Sequence, residues 1–335
     1  MDKPRVFIVS PAAQGANNGN WHTAARWSRF LAPVAQVQVA QSWQGEPVEA
    51  LIALHARRSA ESIIRFRDAG SDAPLALVLT GTDLYRDIDS DVSARRALDC
   101  ASQVVVLQEE GLKRLDAATR ARSRVIEQSA TAMGRGKGGA IAGASRFDLV
   151  AVGHLRGEKD PLVLMRACRL LPVDSGVRVV HLGDALDVSL AHAARKTMAE
   201  CRCYRWLGGV PHAASRRRIA GSRALVHMSR MEGGANAVIE AIRSGVPVLA
   251  SRIDGNVGLL GRDYEGYFEA GDATALAALI QRFRADPGFA AALAAQCALR
   301  APRFAPPAER RKVRELLAAL LAARADSSPR KKATQ

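Results

Sequence analysis

The chain has 335 residues, 48% of them hydrophobic and 24% charged. That is the balance of a soluble globular protein too long for one typical core and suited to two α/β domains. The formal net charge of +15 raises nucleic acid as a partner. But the basic residues are mostly Arg spread along Ala-rich helical stretches, with few aromatics to stack bases, so no nucleic acid is expected and anionic small molecules are. No apolar run would span a bilayer and Val6 to Val9 already reads as a strand, so a cytoplasmic location without a membrane partner is expected. Cys100, Cys168, Cys201, Cys203 and Cys297 are scattered, and no Cys/His cluster completes a zinc site. Reduced thiols and neither metal nor cofactor are expected.

In chain order, Val6 to Ser10 reads as a strand, His22 to Leu31 as a helix and Val37 to Ala40 as a strand. A helix over Ala60 to Ala69 follows, then strands at Leu75 to Thr80, Val104 to Leu107 and Val125 to Gln128. Gly134-Arg-Gly-Lys-Gly-Gly139 breaks the rhythm. No Ser/Thr follows its lysine and no helical pattern opens, so a linker over 132–147 is expected rather than a phosphate loop. Alternation resumes with strands at Leu149 to Val152, Arg178 to Leu182, Tyr204 to Leu207, Ala224 to His227, Val246 to Ala250 and Gly266 to Phe268. An amphipathic helix closes the pattern at Ala308 to Ala323. Such alternation predicts parallel sheets with helices on both faces, and ligands at the strands' carboxyl ends. The expected division is a first Rossmann-like domain over 1–147, a second over 148–305, a helix over 306–323 and a disordered tail over 324–335.

Four loops carry chemistry. Asn18, Gly19, Asn20, His22, Thr23 and Arg26 follow the first strand and open a helix, a set of donors suited to a small anion. Thr80-Gly-Thr82-Asp83 ends another strand of that sheet, and the same residues could equally be ordinary turns and caps. In the second half, Gly153-His154-Leu-Arg156-Gly-Glu-Lys159 lies between a strand and a helix. An Arg fork with a Lys point charge is suited to neutralising a leaving diphosphate.

The most informative stretch is Glu232-Gly233-Gly234-Ala235-Asn236, which opens a helix carrying Glu240, followed by Gly245-Val-Pro-Val-Leu-Ala-Ser251. Free N–H groups at a glycine-led helix start receive phosphate. Glu240, expected two turns into that helix, would meet sugar hydroxyls.

Glu232 and Glu240 with these flanks resemble the Glu-x7-Glu signature of the retaining-type GT-B glycosyltransferases. The resemblance implies an α/β fold of two Rossmann-like domains facing across a cleft, and a nucleotide-sugar donor in the second. It implies that Gly233, Gly234, Ala235 and Asn236 hold the diphosphate with Arg156 and Lys159. Glu240 would take the ribose, Glu232 the hexose, and Trp206 to Gly208 the base. His154 stands where the family has arginine, so which cation replaces it is open. The loops Gly-Ala-Asn-Asn-Gly-Asn-Trp-His-Thr-Ala and Thr-Gly-Thr-Asp-Leu-Tyr, with Gly-His-Leu-Arg-x-x-Lys-Asp-Pro, resemble the selenosugar synthases of bacterial selenoneine biosynthesis. This implies transfer from UDP-N-acetylglucosamine or UDP-glucose to selenophosphate, with Asn18 to Arg26, Thr82 and Asp83 holding the acceptor. Selenophosphate is an anionic nucleophile that needs no base, unlike a hydroxyl. Transfer to a hydroxyl acceptor, a UDP-sugar epimerase on the same fold and a non-catalytic basic binding module are the alternatives.

Overall fold

The computed structural model describes residues 2–16, 18–134 and 147–327. The chain divides into two compact units, residues 1–128 with 307–335 and residues 129–306.

The first unit is built on β1 (Arg5–Val9), β2 (Gln36–Ala40), β3 (Ala50–Leu54), β4 (Leu75–Leu79), β5 (Gln103–Val106) and β6 (Ser123–Val125). They form one parallel sheet in the order β2-β1-β3-β4-β5-β6. Successive side chains alternate between faces. Phe7, Val9, Leu51, Ala53, Leu75, Leu77 and Leu79 join a core with Ile63, Phe66, Ala97 and Leu98. Val6, Ile8, Ala50, Ile52, Leu54, Ala76 and Val78 join the opposite one, with Trp27 and Leu31 of the helix Gly19–Leu31 and Val313, Leu316, Leu317 and Leu320 of the helix Pro306–Ser327.

The sequence reading has no strand at β3. Ala-Leu-Ile-Ala-Leu lacks period-2 alternation and has a single β-branched residue. All five residues are buried because β3 lies between β1 and β4 with both faces covered.

The second unit holds β7 (Phe147–Val152), β8 (Val177–Leu182), β9 (Tyr204–Trp206), β10 (Ala224–His227), β11 (Val248–Ser251) and β12 (Tyr267–Phe268). Their order is β12-β11-β10-β7-β8-β9, again parallel throughout. Leu149, Ala151, Val179, Leu225 and Leu249 share a core with Leu164, Val238, Ile242, Leu276 and Phe304. Residues 129–134, assigned above to the first domain, group with the second unit. The Ala130 N–H donates to Phe304 O at 3.1 Å, and Arg243 and Arg216 donate to the carbonyls of Ala130 and Thr131. Most of the Gly-rich linker and the tail beyond Ser327 lie outside the described residues.

Candidate functional site

In an open parallel sheet the loops at the carboxyl ends of the strands diverge where the strand order reverses, and ligands bind there. In the second unit β7 and β10 are neighbours at that point. The loop after β7 supplies Gly153 to Lys159, and the loop after β10 supplies Ser229 to Ala235.

Lys159 and Glu232 meet there as an ion pair between Nζ and Oε1, with side chains 17% and 11% exposed. Ser229 Oγ also donates to Glu232 Oε1 at 2.7 Å, and His227 Nε2 lies 3.4 Å away. Burial alone would raise the Glu232 carboxyl. The Lys159 charge and the His227 hydrogen bond outweigh it and hold Glu232 well below the usual carboxylate range.

Backbone packing places both partners. Gly183 has φ +144°, and a Cβ there would stand 2.1 Å from Gly153 O. Gly255 lies so close to Glu232 that a Cβ would stand 2.1 Å from the Glu232 carbonyl oxygen. Asp160, left-handed at φ 45°, binds Arg230 Nε at 2.5 Å, while the Arg230 N–H donates to Glu158 O at 2.9 Å. The two loops are therefore joined by side-chain and main-chain bonds. His227, Ser229 and Gly255 were not singled out in the sequence. For Gly255 the only signal was its position in a helix's first turn.

The two other basic side chains of the β7 loop differ. His154 Nδ1 accepts from the Asp184 N–H at 3.0 Å, which ties that ring to the loop after β8. Arg156 Nε is buried with no hydrogen-bond partner among the described residues, and Glu158 Oε2 stands 3.9 Å from it.

The helix Asn236–Arg243 starts at Ala235, which has extended backbone and makes no side-chain cap bond. Gly233 and Gly234 precede it. The N–H groups of its first turn receive no capping side chain, as an anion-binding helix start requires. Glu240 lies about one turn in, not two as the sequence suggested. The helix begins at Asn236 because its first intrahelical bond runs from Ile239 N to Ala235 O. The Glu240 carboxylate is buried against His212, with Nε2–Oε1 at 2.5 Å.

Trp206 Nε1 donates to Gly183 O at 2.8 Å, Leu207 N to His181 O at 3.0 Å, and Gly183 N to Gly208 O at 2.8 Å. The backbone groups expected to face a base are thus partly consumed in joining β9 to β8. Beneath them His181 is fully buried. Burial pushes its imidazole down to about 4, so it is neutral, bonded to Tyr204 and to Gly153 O.

In the first unit, order reverses between β1 and β3. Asn18 caps the helix Gly19–Leu31, its side chain accepting from Trp21 N at 3.1 Å. Asn20 and His22 are half-buried in its first turn.

Three expected acceptor groups have other partners. The buried Thr23 hydroxyl donates to Gly19 O at 2.8 Å and accepts from Gln128 Nε2 at 2.5 Å. Arg26 grips Glu309 through Nε at 2.6 Å and Nη2 at 3.0 Å, and Trp27 Nε1 donates to the same carboxylate at 2.7 Å. Asp83, fully buried, accepts from the N–H groups of Ala56, Thr80 and Gly81 at 2.8 to 3.1 Å. These are bonds of folding. A sequence shows the donors but not a partner 283 positions away.

Thr82 Oγ1 instead lies 2.9 Å from Nε2 of His55, a residue the sequence reading passed over. His55 follows β3 with φ +71°, a conformation rarely held without support from its surroundings. Burial lowers its pKa, and Nδ1 takes the Arg58 N–H at 3.4 Å. That assigns the proton to Nε2, so the ring donates into Thr82 and leaves the threonine O–H to donate elsewhere.

Among the described residues no cluster of three or more His, Cys, Asp or Glu could hold a metal, and no helix is long and apolar enough to cross a membrane.

Residues 143–300 match the model of the family described as glycosyl transferases group 1. No curated protein matches the sequence. Solved structures match over nearly the whole chain. Sucrose-phosphate synthase from Thermosynechococcus elongatus has a TM-score of 0.77 at 16% identity, covering 96% of this chain and 100% of that one. HepE from Anabaena in complex with UDP and glucose has a TM-score of 0.75 at 16% identity, covering 94% and 100%. The pneumococcal O-GlcNAc transferase GtfA, in complex with UDP and GlcNAc, has a TM-score of 0.63 at 16% identity, covering 81% and 57%. The two parallel six-stranded sheets are those of the GT-B fold, and residues 143–300 are similar to the group 1 glycosyl transferases.

Proposed function

We propose that the chain transfers a sugar from UDP-N-acetylglucosamine or UDP-glucose to selenophosphate. Selenium attacks the anomeric carbon, a C–Se bond forms, and the bond to UDP breaks. The observation that carries the donor side is the meeting of Lys159 and Glu232 beside the uncapped helix start at Ala235. A leaving diphosphate gains from fixed cations and backbone N–H groups in place when its charge develops. Arg156, with a buried Nε that finds no hydrogen-bond partner among the described residues, is the cation suited to replace the family arginine, while His154 is tied to Asp184. Glu240 would take the ribose and Glu232 the hexose. A UDP donor is further supported by HepE and GtfA, which are described with UDP and with glucose or GlcNAc.

The acceptor reading rests on Asn18, Gly19, Asn20 and Thr82. His55 and Asp83 are each occupied by folding contacts, so neither is placed as a general base. This favours a nucleophile that arrives already anionic over a hydroxyl that must lose a proton.

Mass spectrometry of the products tests the reading. With UDP-N-acetylglucosamine, a selenium-containing sugar should form from selenophosphate. Asn20→Ala or Thr82→Ala should lower turnover about tenfold or more while UDP affinity stays unchanged, and inorganic phosphate should compete less well in both. Product only from hydroxyl acceptors would establish the conventional glycosyltransferase instead. Conversion of the UDP-sugar with no acceptor present would establish an epimerase.

A further inference from the structure

Away from the strands' carboxyl ends, the amino-terminal edge of β9 carries three thiols. The helix Val188–Glu200 ends at Cys201, and a turn closed by Tyr204 N to Cys201 O at 3.2 Å reverses the chain through exposed Arg202. That turn brings Cys201 Sγ and Cys203 Sγ within 3.0 Å. Both sulfurs also contact the carbonyl oxygen of Cys168, at 3.3 and 3.2 Å, near the end of the helix Pro161–Leu170. Cys201 and Cys203 are half-buried and Cys168 is buried. Residues two apart in a tight turn have the Cα separation a disulfide accepts, about 4.4–6.8 Å.

We propose that Cys201 and Cys203 form an oxidisable dithiol that reacts with hydroperoxides, Cys203 as the attacking sulfur and Cys201 as the resolving one. The Cys203 thiolate cleaves the O–O bond, releases water or an alcohol after proton uptake, and becomes a sulfenic acid. The Cys201 thiol attacks that sulfur and expels water. Two thiols and one hydroperoxide thus yield one disulfide, one alcohol (or water) and one water.

The assignment of roles follows the surroundings. Hydrogen bonds from the Cys168 and Cys201 thiols lower the Cys203 thiol to about 7 against its burial, whereas burial and the neighbouring Cys203 push Cys201 up to about 11. A low-pKa, accessible thiol with a second thiol in contact is the arrangement that oxidises in preference to isolated cysteines. Cys100 and Cys297, each raised by burial, should be inert by comparison.

The test is peroxide treatment of the whole protein, denaturing alkylation with iodoacetamide and tryptic mapping. Trypsin cuts after Arg202, between the two cysteines, so the disulfide should join the peptide Thr197–Arg202 to the peptide Cys203–Arg205, and a reductant should separate them. Cys201→Ala should trap a sulfenic acid on Cys203 that reacts with dimedone. In the untreated wild type, alkylation of Cys203 should outpace Cys100 and Cys297 at least tenfold at pH 7. Joined peptides with faster Cys203 alkylation support the proposal. Alkylation of all five cysteines after peroxide, a bridge mapping elsewhere, or equal alkylation rates overturns it.

Discussion

Replacing Lys159 with methionine keeps an unbranched stem of similar length and removes the ammonium from Glu232. What remains is a carboxylate 11% exposed, with one hydroxyl donor at 2.7 Å and a histidine at 3.4 Å. Opposite charges about 4 Å apart at a partly buried site are worth about 4 kcal/mol, and stripping one partner from a buried pair costs about 3–5 kcal/mol. Ser229 and His227 offset part of this, so Lys159→Met is expected to destabilise the second unit by about 3 kcal/mol at pH 7. Adding Glu232→Gln removes the stranded charge and should recover most of that loss. The pH dependence has a definite sign. In the wild type the folded Glu232 carboxyl lies below its unfolded value, so the stabilisation is present above about pH 4.3 and is lost as pH falls further. In Lys159→Met burial becomes the dominant influence and the order reverses, so the variant should approach the wild type as pH drops through about 5.

Urea titration of wild type, both single variants and the double variant provides the assay, followed by hydrogen exchange in peptides from residues 147–306 so that the second unit is read by itself. Kinetics separate stability from function. On the proposed donor reading, the double variant should be nearly as stable as the wild type yet lose about 10²–10³ in kcat, the scale of one preorganised electrostatic donor. A Lys159→Met protein within about 0.5 kcal/mol of wild type, or a double variant no more stable than it, would refute the argument that this pair is a buried, mutually dependent unit.

Three further outcomes follow from the same structure. His181 titrates near 4 in the folded chain against about 6.5 unfolded, so stability should fall by up to about 3 kcal/mol between pH 6.5 and 4, and His181→Gln should flatten that slope in pH-dependent urea unfolding. Gly183→Ala forces a Cβ to within 2.1 Å of Gly153 O at φ +144°, which should cost about 3 kcal/mol in denaturant melts and, on the proposed donor reading, weaken donor binding by displacing the Lys159 loop; an unchanged melt would contradict the packing. On the proposed donor assignment, Glu240→Ala should weaken calorimetric binding of UDP itself by about tenfold or more, whereas Glu232→Gln should affect mainly UDP-sugar; identical losses with both ligands would dissolve the division of roles.

Much of the architecture was legible because parallel α/β sheets write themselves as apolar runs alternating with helical periods. β3 was not legible: a central strand packed on both faces has no reason to alternate, and Ala-Leu-Ile-Ala-Leu has no β-branched density to announce it. Of the residues read as donor-binding, Lys159 and Glu232 meet as an ion pair and Glu240 pairs with His212, and in the sequence they stand out because glycine and charge cluster locally after a strand. Several residues read as acceptor-binding find partners within the fold. Arg26 and Asp83 look like ligand groups in sequence, yet Glu309 and three backbone N–H groups claim them. His55 matters through a left-handed backbone and a bond to Thr82, neither of which a sequence displays.

These differences share a physical cause. A long basic side chain can satisfy itself against any carboxylate the fold brings near, so its presence in a loop says little about where its charge is spent. Glycine is more restrictive. Gly183 and Gly255 sit where a single methyl group would collide with the backbone that carries Gly153 or Glu232. Their surroundings therefore fix the path of the loops with little freedom, and the loops in turn fix Lys159 and Glu232. A site assembled this way sets its electrostatics through the backbone first and through the ion pair second. On the proposed donor reading the cation would already be in place when charge develops on the leaving group, which is the condition under which a fixed charge lowers a barrier rather than merely binding a ground state.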